Sequence, residues 1–315
     1  MNKNYMDTNL CAKVVWYYYF GEMTQQQIAD KLKISRVKVV RLLETAKETG
    51  IIQFHIRTKD FKVLKFEKEL QDLYGLDNVF IVPSVSVEHN ENIARATACF
   101  IEELLSQYKT INIDYGDTVK RMLNRLHFSA DADVQLFTLT GGINYYIRFG
   151  ELVDKGSSID LNSKLHVIPS PLVVSTKELA EAIQSDDNVQ RIKSMSKNSD
   201  VSILSIGSVS EEATMFKEGI LNKDDLLWLK MHGAVGELLG NFFNSEGEFI
   251  YFPLLERMIT NNPNDIRQMR NVIGIGGGLV KAPAIAGALK TGCIDILITD
   301  MDTAKMVLEI NEHGS

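Results

Sequence analysis

Residues 24–47, TQQQIADKLKISRVKVVRLLETAK, constrain the fold of this chain more than any other stretch. Thr24-x-x-Gln27 is a capping box, so a helix starts at Thr24. Ile28, Ala29 and Leu32 line one face of it, and Ala29 is small, as a close helix crossing needs. Lys33-Ile34 form a turn, and Ser35 caps a second helix whose inward positions are Val39, Leu42 and Leu43. Arg36, Val37, Lys38, Val40 and Arg41 fall on the opposite face. The spacing Ala29, Leu32, Ile34, Val39, Leu42 is the core pattern of a helix-turn-helix, whose second helix enters the major groove of DNA. Arg36, Lys38 and Arg41 can reach base edges and phosphates, Val37 can meet a thymine methyl, and Ser35 assists. Thr24, Gln25 and Gln26 fall where helix N-termini and polar side chains hold phosphate. Ile52, Phe54 and Ile56 alternate with polar residues, as a short wing strand would.

Charge agrees with this placement. The chain of 315 residues carries a formal charge of −7. Residues 1–60 nevertheless hold 10 Lys/Arg against 6 Asp/Glu, a net of +4. A basic module on an acidic body attracts phosphate locally. Residues 8–20 carry Leu10, Val14, Tyr17 and Tyr18 at helical spacing, and the aromatic run Trp16 to Phe20 is expected in the core. No apolar run approaches the ~20 residues a membrane span needs. The N-terminus lacks a signal-peptide pattern, and Cys11, Cys99 and Cys293 are scattered and odd in number. A cytoplasmic protein with reduced thiols is expected.

Residues 61–74 predict a linking helix with a narrow apolar seam at Val63, Phe66, Leu70 and Leu73. The seam leaves open whether it pairs with another subunit or lies on its own domain. From Asn78 the pattern alternates. Strands are expected at 78–82, 110–114, 134–139, 164–168, 200–206, 271–275 and 294–299. Helices are expected at 91–107, 117–127, 176–196, 223–240, 281–291 and 301–312. That alternation implies a Rossmann-like, mostly parallel α/β sheet covered on both faces. Such sheets bind ligands at the carboxyl ends of their strands. The loops expected there share a composition: Gly116-Asp117-Thr118, Thr140-Gly141-Gly142, Gly207-Ser208, and Gly276-Gly277-Gly278 followed by Lys281. Exposed backbone N–H groups with Thr, Ser and Lys donors form a phosphate cradle. GIGGGL at 274–279 lacks the third glycine of a dinucleotide fingerprint, and there is no GxxxxGK[ST] loop, so no nucleotide cofactor is expected. The six histidines show no metal-ligand spacing. Asp114, Asp117, Glu237 and Asp300 stand at or near strand ends, where a pair could transfer protons or accept from sugar hydroxyls.

QQQIADKLKISRVKVVRLL, YGDT, LTGGI, AVGELLGNFFNSEGE and GGLVKAPAIAGAL followed by DILITDMDTAKMVL occur in this order. Together they resemble the SorC family of bacterial sugar-responsive transcriptional regulators. The resemblance implies a winged helix-turn-helix at 1–57, a linking helix at 58–75, and an effector domain at 76–315 similar to ribose-phosphate and glucosamine-phosphate isomerases. It implies operator DNA and a phosphorylated sugar as partners, tetramers built as pairs of dimers, no cofactor and no catalysis. Gly116 and Thr118 match the first phosphate loop, Gly141-Gly142 the second, Lys281 a phosphate-holding lysine, and Glu237 an acidic position near the sugar. Thr140 stands where several members carry Lys or Arg, and Val40 where Ser is common, so neither the effector nor the operator carries over. An isomerase with an accessory helix-turn-helix is the alternative.

Overall fold

A computed structural model of the chain describes residues 3–49, 51–52, 58–85, 88–105, 107–126, 133–143, 145–146 and 165–313. The chain divides into two compact units, Met1–Phe61 and Lys62–Ser315.

The described part of the first unit contains α1 (Lys3–Tyr19), α2 (Gln25–Leu32) and α3 (Arg36–Glu48). The Thr24 hydroxyl accepts the Gln27 N–H at 3.3 Å, and the Thr24 N–H donates to Gln27 Oε1 at 2.8 Å. Lys33, left-handed at φ 51°, ends α2. The Ile34 N–H then closes onto the Ala29 carbonyl at 3.0 Å. Val14, Ile28, Ala29, Val39, Leu42, Leu43 and Ala46 form the core of the three helices. The aromatic run departs from expectation. Tyr17, Tyr18 and Tyr19 pack against this core, but Trp16 and Phe20 are 58% and 74% exposed. A helix turns ~100° per residue, so five consecutive side chains cannot share one buried face. The wing residues 53–57 lie outside the described residues.

Helix α4 (Thr58–Tyr74) leads into the second unit, where it seats Leu70, fully buried, in the sheet core, with Val63 and Phe66 packed beside it. Glu67 of α4 also accepts the Ile81 N–H at 3.0 Å. The described seam therefore lies on its own unit, with Leu73 left 42% exposed. The main sheet holds β1 (Asn78–Val82), β2 (Thr110–Ile113), β3 (Gln135–Thr138), β4 (Leu165–His166), β5 (Val201–Ser205), β9 (Val272–Ile275) and β10 (Ile296–Asp300). Its order is β1-β10-β9-β5-β2-β3-β4, and every pairing is parallel. The strands read as apolar runs because both faces are covered. One face packs Leu204, Leu297 and Val272 against α12 (Ala282–Lys290) and α13 (Met301–His313). The other packs Ile111, Ile113 and Ile203 against α5 (His89–Leu104) and α6 (Asp117–Leu123).

Two expected helices need correction. The 176–196 pattern is two helices, α7 (Lys177–Gln184) and α8 (Asp187–Lys197). Asp186 separates them, its carboxylate accepting the Asn188 N–H at 2.9 Å. The 223–240 pattern contains α10 (Lys223–Met231) and then strand β7 (Ala234–Leu238). Between them Gly233 takes φ 79°. β7 pairs antiparallel with β6 (Gly207–Ser208) and β8 (Asn241–Asn244) in a small second sheet. Tertiary packing decides this segment: a Cβ on Gly236 would stand 2.7 Å from Phe243 and 2.8 Å from Ala284. A short helix, α9 (Thr214–Lys217), α11 (Pro263–Arg267) and two 3-10 helices, Pro253–Arg257 and Leu279–Lys281, are also present. No described helix is long and apolar enough to cross a membrane.

Candidate ligand cavity and nucleic-acid interface

β2 leads outward to β3 and β4, whereas β5 leads the other way to β9 and β10. The loops leaving β2 and β5 therefore diverge, which is where open parallel sheets form a crevice. A cavity of about 740 Å³ opens there. Gly116, Asp117 and Thr118 line it after β2, Gly207 and Ser208 after β5, and Gly277, Gly278 and Lys281 after β9. Glu237 reaches it from the small sheet.

The Thr118 side chain is 1% exposed, and its Oγ1 has no hydrogen-bond partner among the described residues. Burial holds the Lys281 amine below its usual value, although the Glu237 and Asp117 charges pull it back up. Burial also pushes Asp117 up, but hydrogen bonds from Arg121 and Asn90 outweigh it and hold the carboxyl low. Glu237 Oε2 accepts the Gly240 N–H at 2.7 Å. Gly207 lies opposite Glu237 across the strands, and a Cβ there would stand 1.9 Å from Oε1. Glycine at 207 is thus what lets this carboxyl fold over the strand. Burial pushes the Glu237 carboxyl up to about 7, against the Gly240 N–H and the Lys281 charge.

Two other carboxylates are committed elsewhere. Asp114 is buried beneath the cavity, where its oxygens accept the N–H groups of Tyr115 and Ser205. Burial, then the Glu237 charge, push it well above the usual carboxylate range. Asp300 accepts the Gly278 N–H at 2.8 Å, the Thr303 N–H and hydroxyl, and the Ser84 hydroxyl. It both tethers the glycine loop and caps α13.

The Thr140-Gly141-Gly142 turn is not part of the cavity wall. Gly141 N–H donates to the Ile259 carbonyl and Gly142 N–H to the Ser170 carbonyl, each at 2.8 Å. A Cβ on Gly141 would stand 2.3 Å from the Pro171 carbonyl oxygen. Gly141 accommodates a neighbouring backbone, Gly142 takes φ 106°, and Thr140 is buried beside the Tyr146 hydroxyl at 3.3 Å. Conversely, His89, Asn90 and Arg121 line the cavity. The loop after 78–82 carries no glycine, so composition does not mark it. Its position after a parallel strand is the available signal.

In the first unit, Arg36, Lys38 and Arg41 are exposed on α3, and Val37 is 78% exposed between them. Val40 is half-buried. The Ser35 hydroxyl is engaged as the cap of α3, accepting the Lys38 N–H at 3.2 Å. Thr24, Gln25, Gln26 and Arg36 line a shallow hollow shared with Tyr18, a residue that helical spacing assigns to the core.

The Sugar-bind family model, which describes a sugar-binding domain, matches residues 59–309. The transcriptional regulator LsrR of Escherichia coli K12 is 30% identical over 303 residues, covering 94% of this chain and 93% of that protein. LsrR of Enterobacter sp. strain 638 is 29% identical over 309 residues, with 96% and 94% covered. Among solved structures, the full-length sorbitol operon regulator SorC of Klebsiella pneumoniae gives a TM-score of 0.69 at 25% identity, covering 96% of this chain and 99% of that one. A DeoR family regulator from Listeria monocytogenes shares the fold at the same TM-score of 0.69, with 20% identity over 78% of this chain and 99% of its own. The chain belongs to the SorC family of sugar-binding transcriptional regulators, and it is a sugar-responsive DNA-binding regulator.

Proposed function

We propose that the effector is a phosphorylated sugar, held in the cavity between β2, β5 and β9. The observation that carries this reading is the convergence of Lys281, the unpartnered Thr118 hydroxyl and Glu237 on one enclosed space. Lys281 and Thr118, with the Gly116–Thr118 and Gly277–Gly278 turns, hold the phosphate, because charge-assisted hydrogen bonds suit a dianion. Glu237 Oε1 accepts from a sugar hydroxyl. The cavity binds without catalysing. Asp114 and Asp300 are spent on the protein's own donors, and Asp117 is tied to Arg121 at 2.8 Å and Asn90 at 3.0 Å. Of the four carboxylates near strand ends, the three other than Glu237 are thus engaged by the protein's own donors.

On the DNA side, Arg36, Val37, Lys38 and Arg41 enter the major groove, while Thr24, Gln25 and Gln26 contact phosphates. The DNA-bound form is a tetramer built as a pair of dimers. The effector acts by binding one arrangement of subunits more tightly than another, since a ligand shifts such an equilibrium only through differential affinity. The Klebsiella relative regulates a sorbitol operon. That supports a carbohydrate gene cluster as the target here.

A thermal-shift panel of sugar phosphates against the same sugars without phosphate tests the effector. A ligand of the native state raises Tm with its concentration. At least one phosphorylated sugar should stabilise the wild type, and Lys281→Ala should abolish that shift while leaving operator binding intact. A panel in which only unphosphorylated sugars stabilise the protein would overturn the reading.

A further inference from the structure

We infer that His89 is a ligand-binding residue, donating from Nδ1 to an oxygen of the anionic group held at the inner end of the cavity. This rests on the phosphate reading above and extends it to a third segment of chain.

His89 opens α5, and it lines the cavity together with Asn90. Asn90 Nδ2 donates to Asp117 Oδ2 at 3.0 Å, which lays the first turn of α5 against the Gly116–Thr118 turn. On its other side the imidazole rests on the glycine loop: a Cβ on Gly278 would stand 3.4 Å from both Cγ and Cδ2 of His89. Three segments thus meet at one place: the start of α5, the turn after β2 and the turn after β9. The ring meets Gly278 through Cγ and Cδ2, and Nδ1 is the other ring atom bonded to Cγ. Nδ1 is enclosed and has no hydrogen-bond partner among the described residues. The Thr118 hydroxyl, on the adjoining turn, is in the same condition. Enclosed polar atoms in native proteins are nearly always paired, and an unpaired one is costly, so two beside one cavity call for a ligand.

The test titrates the full-length chain with inorganic phosphate at constant ionic strength, reading Tm for the wild type, His89→Asn, His89→Leu and Lys281→Ala. The amide of Asn can place an N–H donor near the position of Nδ1, whereas Leu fills the space and donates nothing. His89→Leu should bind phosphate about tenfold more weakly, the loss of one hydrogen bond to a charged group, while His89→Asn stays within about threefold of wild type. The imidazole nitrogen resonances of His89 should also move when phosphate is added to the wild type, a readout that needs no variant to fold. If His89→Leu binds as the wild type does while Lys281→Ala does not, the inference is overturned and the phosphate reading stands. Equal losses in His89→Asn and His89→Leu, or unmoved His89 resonances, overturn it too. A wild type indifferent both to inorganic phosphate and to every sugar phosphate overturns both.

Discussion

Glu237 shows how one residue's setting turns into a measurable property. Its ordinary value is 4.5, and burial pushes it up to about 7. Between those values the native state keeps a proton that the unfolded chain releases. Stability is therefore fully present below the lower value and is lost as pH rises through the upper one. Glu237→Gln cannot release that proton, so its Tm relative to wild type should climb between about pH 4.5 and about pH 7 and level off above that. Parallel Tm-against-pH curves for the two proteins would rule this out. Glu237 was legible in the sequence as an acidic residue near a strand end and, through the family resemblance, as an acidic position near the sugar. The glycine at 207 that makes room for its carboxyl stood 30 positions away, and nothing in either residue announced the pairing. The same holds for Thr140-Gly141-Gly142. As letters they match a phosphate loop, but their N–H groups go to the Ile259 and Ser170 carbonyls, both more than 25 residues distant.

At the scale of elements, α2 and α3 were readable because their signals are local. A capping box, a left-handed Lys33 and a helix-spaced core each act within about one turn. Thr24→Ala should destabilise the helix-turn-helix by about 1 kcal/mol, with Thr24→Ser nearly neutral. Amide hydrogen exchange in α2 reads this directly, and equal protection in Thr24→Ala and wild type would contradict the cap. The parallel strands were readable for a related reason, since burial on both faces demands short apolar runs. The segment after Met231 was not. AVGELLG satisfies helical periodicity, yet it forms β7 with alternating burial because Gly236 must pass close to Phe243 and Ala284. Local propensity lost there to packing against elements distant in sequence.

For the whole molecule, a basic first unit joined to an acidic remainder predicts how binding responds to salt. Operator affinity should fall steeply as salt rises, because each neutralised phosphate releases counterions. Arg41→Ala should lower the slope by about one for each phosphate that Arg41 neutralises, whereas Lys281→Ala should leave it unchanged in the absence of effector. A salt-independent mobility shift would argue against DNA recognition through the α3 face. What the sequence determined by itself was the order of parts: a helix-turn-helix, a linking helix, and a parallel α/β body with glycine-rich strand ends. These follow from hydrophobic period, capping and charge, which are properties of neighbouring residues. Only the tertiary structure decided which strand ends share a cavity. The reversal of strand order between β2 and β5 brings the Gly116 and Gly207 turns to one crevice and sends the Thr140 turn elsewhere. It also brought in His89, because a binding site is assembled from residues far apart in the chain whose proximity no local pattern encodes.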